Sequence, residues 1–163
     1  MTGTDTENLA PLENSGNEIE TIVVAVDSSS SGGRVIAMAA RLSRAVPAAS
    51  VHILHVFKNS RADHARAGAP PISADAVADA KEQLDAFVRS ARRQCRNQVM
   101  GHFLIGDPTD EILKFVDQAK ADLLIVGTHD YTLFERLLLG SIAETLVRKA
   151  HCTTLVVRPP LRK

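Results

Sequence analysis

Short, uninterrupted apolar runs recur along the chain and predict the strands of a buried sheet. Strands that are covered on both faces are continuously apolar, whereas half-exposed strands alternate between apolar and polar residues. A weaker run over Gln98–Ile105 contains Gly101, which favours a position at the edge of the sheet. Four runs rich in β-branched and aliphatic residues have the continuous form: Thr21–Val26, Ser50–Val56, Ala121–Gly127 and Thr153–Val157.

Between these runs, apolar residues recur at helical spacing. The sequence Asp107-Pro108-Thr109-Asp110 predicts a helix start, with Asp107 as the cap and Pro108 in the first turn. The alternation predicts an α/β fold, a three-layer α/β/α sandwich around a five-stranded parallel sheet, without a second domain. The apolar positions of the predicted helices lie within Val35–Val46, Val77–Cys95, Ile112–Ala119 and Ile142–Ala150.

The connections after the strands are the places to search for a ligand. In open parallel sheets, ligands bind beyond the carboxyl ends of the strands, where the strand order reverses. Here those ends are Asp27 with a predicted Ser/Gly turn over Ser28–Gly33, Val56, the pair Gly106-Asp107, and the loop that follows Gly127.

The acidic residues are concentrated at the amino terminus. Residues 1–20 contain five carboxylates and neither lysine nor arginine, so the rest of the chain carries a net charge of +5. Residues 1–18 are also poor in large apolar side chains, which predicts a disordered acidic tail followed by one domain over residues 19–160. Such a tail either increases solubility or folds over a basic cleft.

Composition excludes several classes of function. The 19 basic and 19 acidic residues cancel and aromatic residues make up only 4%, so we expect no nucleic-acid partner. Cys95 and Cys152 are far apart without CxxC spacing, which argues against a disulfide scaffold or a zinc site. The sequence has neither a signal peptide nor an apolar run of membrane-spanning length, so we expect a soluble, cytoplasmic protein.

Three common motifs of nucleotide and ester chemistry are absent, namely GxxxxGK[ST], GxGxxG after the first strand, and GxSxG. Instead, Gly127 ends a predicted strand, and Gly140-Ser141 opens a helix after a 12-residue loop. The unpaired N–H groups at a helix start can hold an anion. Ser141 is the expected N-cap of that helix.

The stretch Leu123–Val157, LLIVGTHDYTLFERLLLGSIAETLVRKAHCTTLVV, resembles the universal stress proteins, and the likeness extends over about residues 20–158. Nucleotide-binding members carry G-x2-G-x9-G-[ST] here. This chain keeps the spacing from Gly127 to Gly140-Ser141 but has Asp130 at the second glycine. VAVDSSSS at Val24–Ser31 resembles the first strand and turn of the family, and LHV at Leu54–Val56 resembles its second strand.

The resemblance implies an adenine-nucleotide-hydrolase-like (HUP) fold with strand order 3-2-1-4-5, and a homodimer through Thr153–Val157. It also implies that ATP or a related adenine nucleotide binds, with Asp27 and Val56 beside the base and the glycine-rich segments around ribose and phosphates. The implied nucleotide-binding residues are Ala25, Asp27, Val56, Gly127, His129, Asp130, Gly140, Ser141 and Ile142.

Alternatives remain open at several of these positions. Asp27 is also suited to cap the first helix, and His129 is also consistent with a solvated loop residue, which is the more common case. His52 and His55 lie three apart on a predicted strand and therefore face opposite sides, so they form no metal pair.

Three functions are compatible with the sequence. The first is a stress-response module that binds an adenine nucleotide and presents a nucleotide-dependent surface to an unknown protein partner. The second is a nucleotide-free dimer, because the Asp130 carboxylate repels phosphate unless Mg²⁺ bridges the two. The third is a slow nucleotide hydrolase, for which the sequence offers no defined catalytic constellation.

Replacing Asp130 by glycine tests the second alternative. A like charge about 4 Å from a phosphate costs about 1–4 kcal/mol. If Asp130 is the obstacle, Asp130→Gly tightens ATP binding by about tenfold to several hundredfold. Calorimetric titration measures the change, and an affinity equal to that of the wild type would contradict this role of Asp130.

Overall fold

The computed structural model describes residues 18–27, 31–58, 73–128 and 140–159. These residues form a five-stranded parallel sheet in the order β3-β2-β1-β4-β5 with helices on both faces, which confirms the predicted fold. No helix within these ranges is long and apolar enough to cross a membrane. The elements are β1 (Thr21–Val26), α1 (Ser31–Ser43), β2 (Ser50–Lys58), α2 (Ala74–Gln94), β3 (Val99–Gly106), α3 (Pro108–Gln118), β4 (Leu123–Gly127), α4 (Ser141–Lys149) and β5 (Thr153–Val157).

The sheet separates two apolar cores because successive strand residues point to opposite faces. On β1, Ile22 and Val24 pack in the core beneath α1 and α2, while Val23 packs in the core beneath α3 and α4. All three side chains are fully buried. This double burial explains why the strand sequences are continuously apolar.

The strand order reverses beside β1. The chain adds β2 and β3 on one side of β1 and then crosses over, so that β4 pairs with β1 on the other side. Helices α1 and α2 cover one face, and α3 and α4 cover the other. The connections that leave β1 and β4 therefore diverge, and a crevice opens at the carboxyl ends of these two strands.

Polar side chains fix the starts of several elements. The Asp107 carboxylate accepts hydrogen bonds from the N–H groups of Thr109 (2.9 Å) and Asp110 (3.2 Å), and Pro108 occupies the first turn. This confirms the helix start predicted from sequence. At the amino edge of the sheet, an Asp122 carboxylate oxygen accepts from the N–H of Thr21 at 2.9 Å and so joins the starts of β4 and β1.

Two local predictions are wrong. The expected turn over Ser28–Gly33 includes the first turn of α1, which begins at Ser31. A Cβ atom at Gly32 would overlap the ring of Phe87, so this glycine allows close contact between α1 and α2 rather than a loop. The N-cap of α4 is Gly140, and Ser141 is the first helical residue.

Two imidazole rings meet on the α3 side of the sheet. The Nδ1 atom of His52 on β2 lies 3.0 Å from Nε2 of His102 on β3, and the rings stack with their centroids 5.0 Å apart. The Phe115 ring packs against His102, and the Ser50 hydroxyl lies 3.2 Å from the other nitrogen of His52. Within the described ranges, no three His, Cys, Asp or Glu side chains are placed to hold a metal ion.

Gly101 lies beneath α2, and its substitution tests the packing between that helix and β3. A Cβ atom at this position would lie 2.7 Å from Cγ2 of the buried Val88 side chain. Forcing an extra methyl group into such a contact typically costs about 1–3 kcal/mol. Gly101→Ala should therefore lower the free energy of unfolding by about that amount in urea denaturation.

The matched control is Gly33→Ala on the exposed side of α1. A Cβ atom there meets nothing within 4 Å, and alanine is favoured over glycine within a helix by about 0.5–1 kcal/mol. We expect this variant to be as stable as the wild type or more stable. A Gly101→Ala protein that unfolds at the same urea concentration as the wild type would contradict the packing described here.

The histidine pair predicts a loss of stability in acid. Burial lowers the pKa of His52, and burial together with the neighbouring His52 ring lowers the pKa of His102. Below about pH 6.5 the unfolded chain therefore binds more protons than the folded chain. The free energy of unfolding should fall as the pH drops from 6.5. Above that pH, the histidine pair should not make the free energy of unfolding depend on pH.

Urea denaturation at pH 7 and pH 5 measures this effect. His102→Gln keeps a hydrogen-bonding side chain but removes one titrating ring, so its loss of stability between the two pH values should be smaller. His151→Gln, at an exposed histidine outside the pair, is the matched control for removal of one imidazole. An identical pH dependence in His102→Gln and the wild type would show that the pair does not couple folding to protonation.

Candidate functional site

The crevice at the carboxyl ends of β1 and β4 holds a cavity of about 220 Å³. Seven of the nine residues implied by the sequence resemblance lie in the described ranges, and the structure places all seven in its lining. The other two, His129 and Asp130, lie outside the described residues. The seven are Ala25, Asp27, Val56, Gly127, Gly140, Ser141 and Ile142.

One side of the cavity carries a carboxylate in a fixed position. Asp27 directly follows β1 and is half-buried, and its Oδ1 atom accepts a hydrogen bond of 3.1 Å from the hydroxyl of Ser31. The alternative role of Asp27 at the start of α1 is therefore compatible with its position in the cavity wall. The bond holds the carboxylate beside the apolar residues Ala25 and Val56.

Gly127 brings the end of β4 close to the start of α1. A Cβ atom at this position would lie 3.0 Å from both Oγ of Ser31 and Cγ2 of Val35. The next residue, Thr128, is buried, and its N–H donates a 3.1 Å bond to the carbonyl of Val157. The absence of a side chain at Gly127 thus has a packing reason that is independent of any ligand.

The first turn of α4 also lines the cavity. Gly140, Ser141 and Ile142 line the cavity, and among the described residues no side chain caps this helix. Gly140 has φ −57° and ψ 149°, a conformation open to any residue. Its backbone therefore does not require glycine, but glycine leaves the first N–H groups of α4 uncovered. An uncovered helix start attracts negative charge through these groups and the helix dipole.

A second helix start reaches the same cavity and differs in its chemistry. Pro108 and Ile112 of α3 contribute to the lining. However, the Asp107 carboxylate already accepts hydrogen bonds from the first N–H groups of α3. The start of α3 therefore presents negative charge, whereas Gly140 places no side chain over the first N–H groups of α4.

Other residues of the lining were not predicted from the sequence. The buried side chains of Ile112, Ala143 and Leu146 belong to the core beneath α3 and α4, and they also form the inner wall of the cavity. Their helical spacing predicts burial but not proximity to a ligand. Ser31 was assigned to the expected turn and was not predicted as a partner of Asp27, which lies four residues before it.

The two cysteines are separate from this cavity. Cys95 is buried in the core beneath α1 and α2, as its position on the apolar stripe predicted. Burial is the main cause that raises the pKa of the Cys152 thiol. A raised pKa disfavours the thiolate, which is the reactive form.

Curated relatives match part of the chain. Universal stress protein MJ0531 of Methanocaldococcus jannaschii is 47% identical over 60 residues, which are 37% of this chain and 35% of that protein. This chain matches about a third of the length of the first curated relatives.

Solved structures match nearly the whole domain. The universal stress protein of Archaeoglobus fulgidus in complex with dAMP is 25% identical with a TM-score of 0.63, covering 86% of this chain and 98% of that one. A universal stress protein family protein of Arabidopsis thaliana, At3g01520 with AMP bound, is 19% identical with a TM-score of 0.61. That match covers 87% of this chain and 93% of the plant chain, and at this identity it supports the fold alone.

The family model described as universal stress protein family matches residues 18–158. It spans every strand and helix of the described fold, including both walls of the cavity. The chain therefore belongs to the universal stress protein family.

Proposed function

We propose that this protein binds an adenine nucleotide in the cavity at the carboxyl ends of β1 and β4. In this proposal the nucleotide state changes the surface that the protein presents to a partner, so the domain acts as a sensor. A relative of the same family is solved with dAMP, which supports an adenine nucleotide as the ligand class. The cavity lining supports the position.

The observation that carries the proposal is the difference between the two helix starts. Asp107 satisfies the first N–H groups of α3 with its carboxylate, while Gly140 supplies no side chain to those of α4. A phosphate is repelled by the first arrangement and attracted by the second. The phosphates of a bound nucleotide therefore lie at Gly140 and Ser141, on the α4 side.

This placement directs the base away from the start of α4. Ala25 and Val56 offer apolar surface for a planar ring, and the Asp27 carboxylate can accept a hydrogen bond from the adenine amino group. The walls enclose about 220 Å³, below the 300–1,000 Å³ typical of sites for drug-sized ligands.

We further propose roles for the residues around the cavity that lie outside the described ranges, and for the edge strand β5. His129 and Asp130 flank ribose and phosphates, and Mg²⁺ bridges Asp130 to the phosphate oxygens when ATP binds. Residues 19–160 form the binding domain, and residues 1–18 an acidic extension. Two copies pair through β5, which is an edge strand of the described sheet and whose unpaired backbone groups favour such pairing.

Substitutions at Gly140 test where the phosphates bind. Asp and Asn cap helices about equally well, and the φ and ψ angles of Gly140 accommodate both. Both occupy N–H groups of α4, but only Asp adds a negative charge beside the phosphate. We expect AMP affinity to decrease from wild type to Gly140→Asn to Gly140→Asp, with the charge alone costing about tenfold to several hundredfold.

Adenosine is the matched ligand control because it lacks the phosphate. Its affinity, measured by the same calorimetric titration, should be equal in the three proteins. Equal AMP affinity in wild type and Gly140→Asp would contradict the phosphate position. Loss of adenosine binding together with AMP binding would contradict it as well, because the substitution would then act on the whole cavity.

A further inference from the structure

A group of exposed arginines lies at the carboxyl-terminal ends of α1 and α2, far from the cavity. The side chain of Asn97, just after α2, donates hydrogen bonds of 2.9 Å to the carbonyls of Val46 and Ala49 after α1, so the two helix ends are joined. Within the described ranges none of these arginines forms an ion pair with a carboxylate. The group, called the arginine face below, consists of Arg41, Arg44, Arg89, Arg92, Arg93 and Arg96.

The acidic residues of α2 all precede the arginines at its carboxyl-terminal end, and α1 contains no acidic residue. The four on α2 are Asp75, Asp79, Glu82 and Asp85. Residues 31–58 contain no Asp or Glu at all, and residues 86–106 contain none either. Arg89 and Arg93 are four apart on α2, a spacing at which like charges repel each other. Arginines in the last turn of a helix complement the helix dipole. Residues 89–96 contain four arginines, which is more positive charge than the dipole of one helix end offsets. The face therefore favours an acidic cover.

The amino-terminal segment enters the fold beside this face. Ile19 packs against the core beneath α1 and α2, and the carbonyl of Glu20 accepts a 2.7 Å bond from the N–H of Ser50 at the start of β2. Helices α1 and α2 end at the same edge of the sheet, because they lead into β2 and β3. The segment thus meets the sheet at the same edge and on the same side as the arginines.

The segment has the complementary charge and sufficient length. Residues 1–20 carry Asp5, Glu7, Glu13, Glu18 and Glu20 and no basic residue, and the rest of the chain has the matching net charge of +5. Residues 1–17 reach up to about 55–60 Å when fully extended. Helix α2, with 21 residues, is about 31 Å long, so the segment is long enough to lie along it.

We propose that residues 1–17, with the carboxylates of Asp5, Glu7 and Glu13, lie across the arginine face of the same molecule and screen it. This contact is separate from the nucleotide cavity, which opens at the opposite edge of the sheet. Each exposed ion pair is weak and sensitive to salt, so the cover is reversible. Raised ionic strength or an anionic partner of higher charge density displaces it and uncovers the arginines.

Cleavage by a Glu-specific protease after Glu7 and Glu13 measures how far the segment is covered. The variant Arg93→Gln/Arg96→Gln removes two charges of the arginine face, and Lys149→Gln/Arg158→Gln removes two exposed charges elsewhere. We expect cleavage to be at least about threefold faster in the first variant than in the wild type. The second variant should be cleaved at the wild-type rate, and the difference should disappear in about 0.5 M salt.

A synthetic peptide of residues 1–17 corrects for the effect of salt on the protease, and thermal melts confirm that both variants are folded. Amide chemical shifts locate the contact. Neutralising Asp5, Glu7 and Glu13 to Asn or Gln should move resonances of residues 41–44 and 89–96. Equal cleavage of all three proteins, shift changes confined to other surfaces, or a cleavage rate that depends on protein concentration would overturn the proposal.

Discussion

The burial of β1 and β4 on both faces is the constraint on which the rest of the molecule depends. Val23, Val24, Leu124 and Ile125 are fully buried between two helical layers, where an unpaired polar group would be costly. Polar chemistry is therefore confined to the ends of these strands. Because the strand order reverses between β1 and β4, the carboxyl ends are also where the covering helices separate and leave room for a ligand.

The electrostatics of the crevice follow from small differences between helix starts. A carboxylate at Asp107 and a glycine at Gly140 stand at equivalent positions of α3 and α4, yet they give the two walls opposite preferences for an anion. Asp27, held by Ser31, adds a second acidic group to the lining. In the proposed site, the two acidic groups disfavour a phosphate near them and the start of α4 favours one, and the described lining contains no lysine or arginine.

Much of this arrangement was predictable from the sequence. The bounds of β1 and β5 agree with the apolar runs, since continuous burial leaves a strong local pattern. The helix start at Asp107 also followed from local residue types. The start of α1 could not be predicted from local residue types, because a glycine such as Gly32 indicates a turn. The reason for a glycine at this position is its close contact with Phe87, which is distant in the sequence. The pairing of His52 with His102 could not be predicted from the sequence either, since it depends on the register of β2 and β3.

The position of the candidate site residues at one cavity was predictable for a different reason. Its residues follow strands or open helices, so the fold class already places them at one edge of the sheet. The buried residues that complete the inner wall, such as Ile112 and Leu146, serve both core and cavity. An apolar residue at helical spacing has the same pattern whether it packs in the core or lines a cavity, so only the structure distinguishes the two roles.

Calorimetric titration of ATP into the wild-type protein, with and without Mg²⁺, tests the central claim that this crevice is a nucleotide site. We expect saturable binding with one nucleotide per chain, and tighter binding in the presence of Mg²⁺ because the cation bridges Asp130 and the phosphates. Absence of heat, together with an unchanged melting temperature at millimolar ATP, would contradict the claim. The open helix start at Gly140 would then be a feature of the fold without a nucleotide ligand.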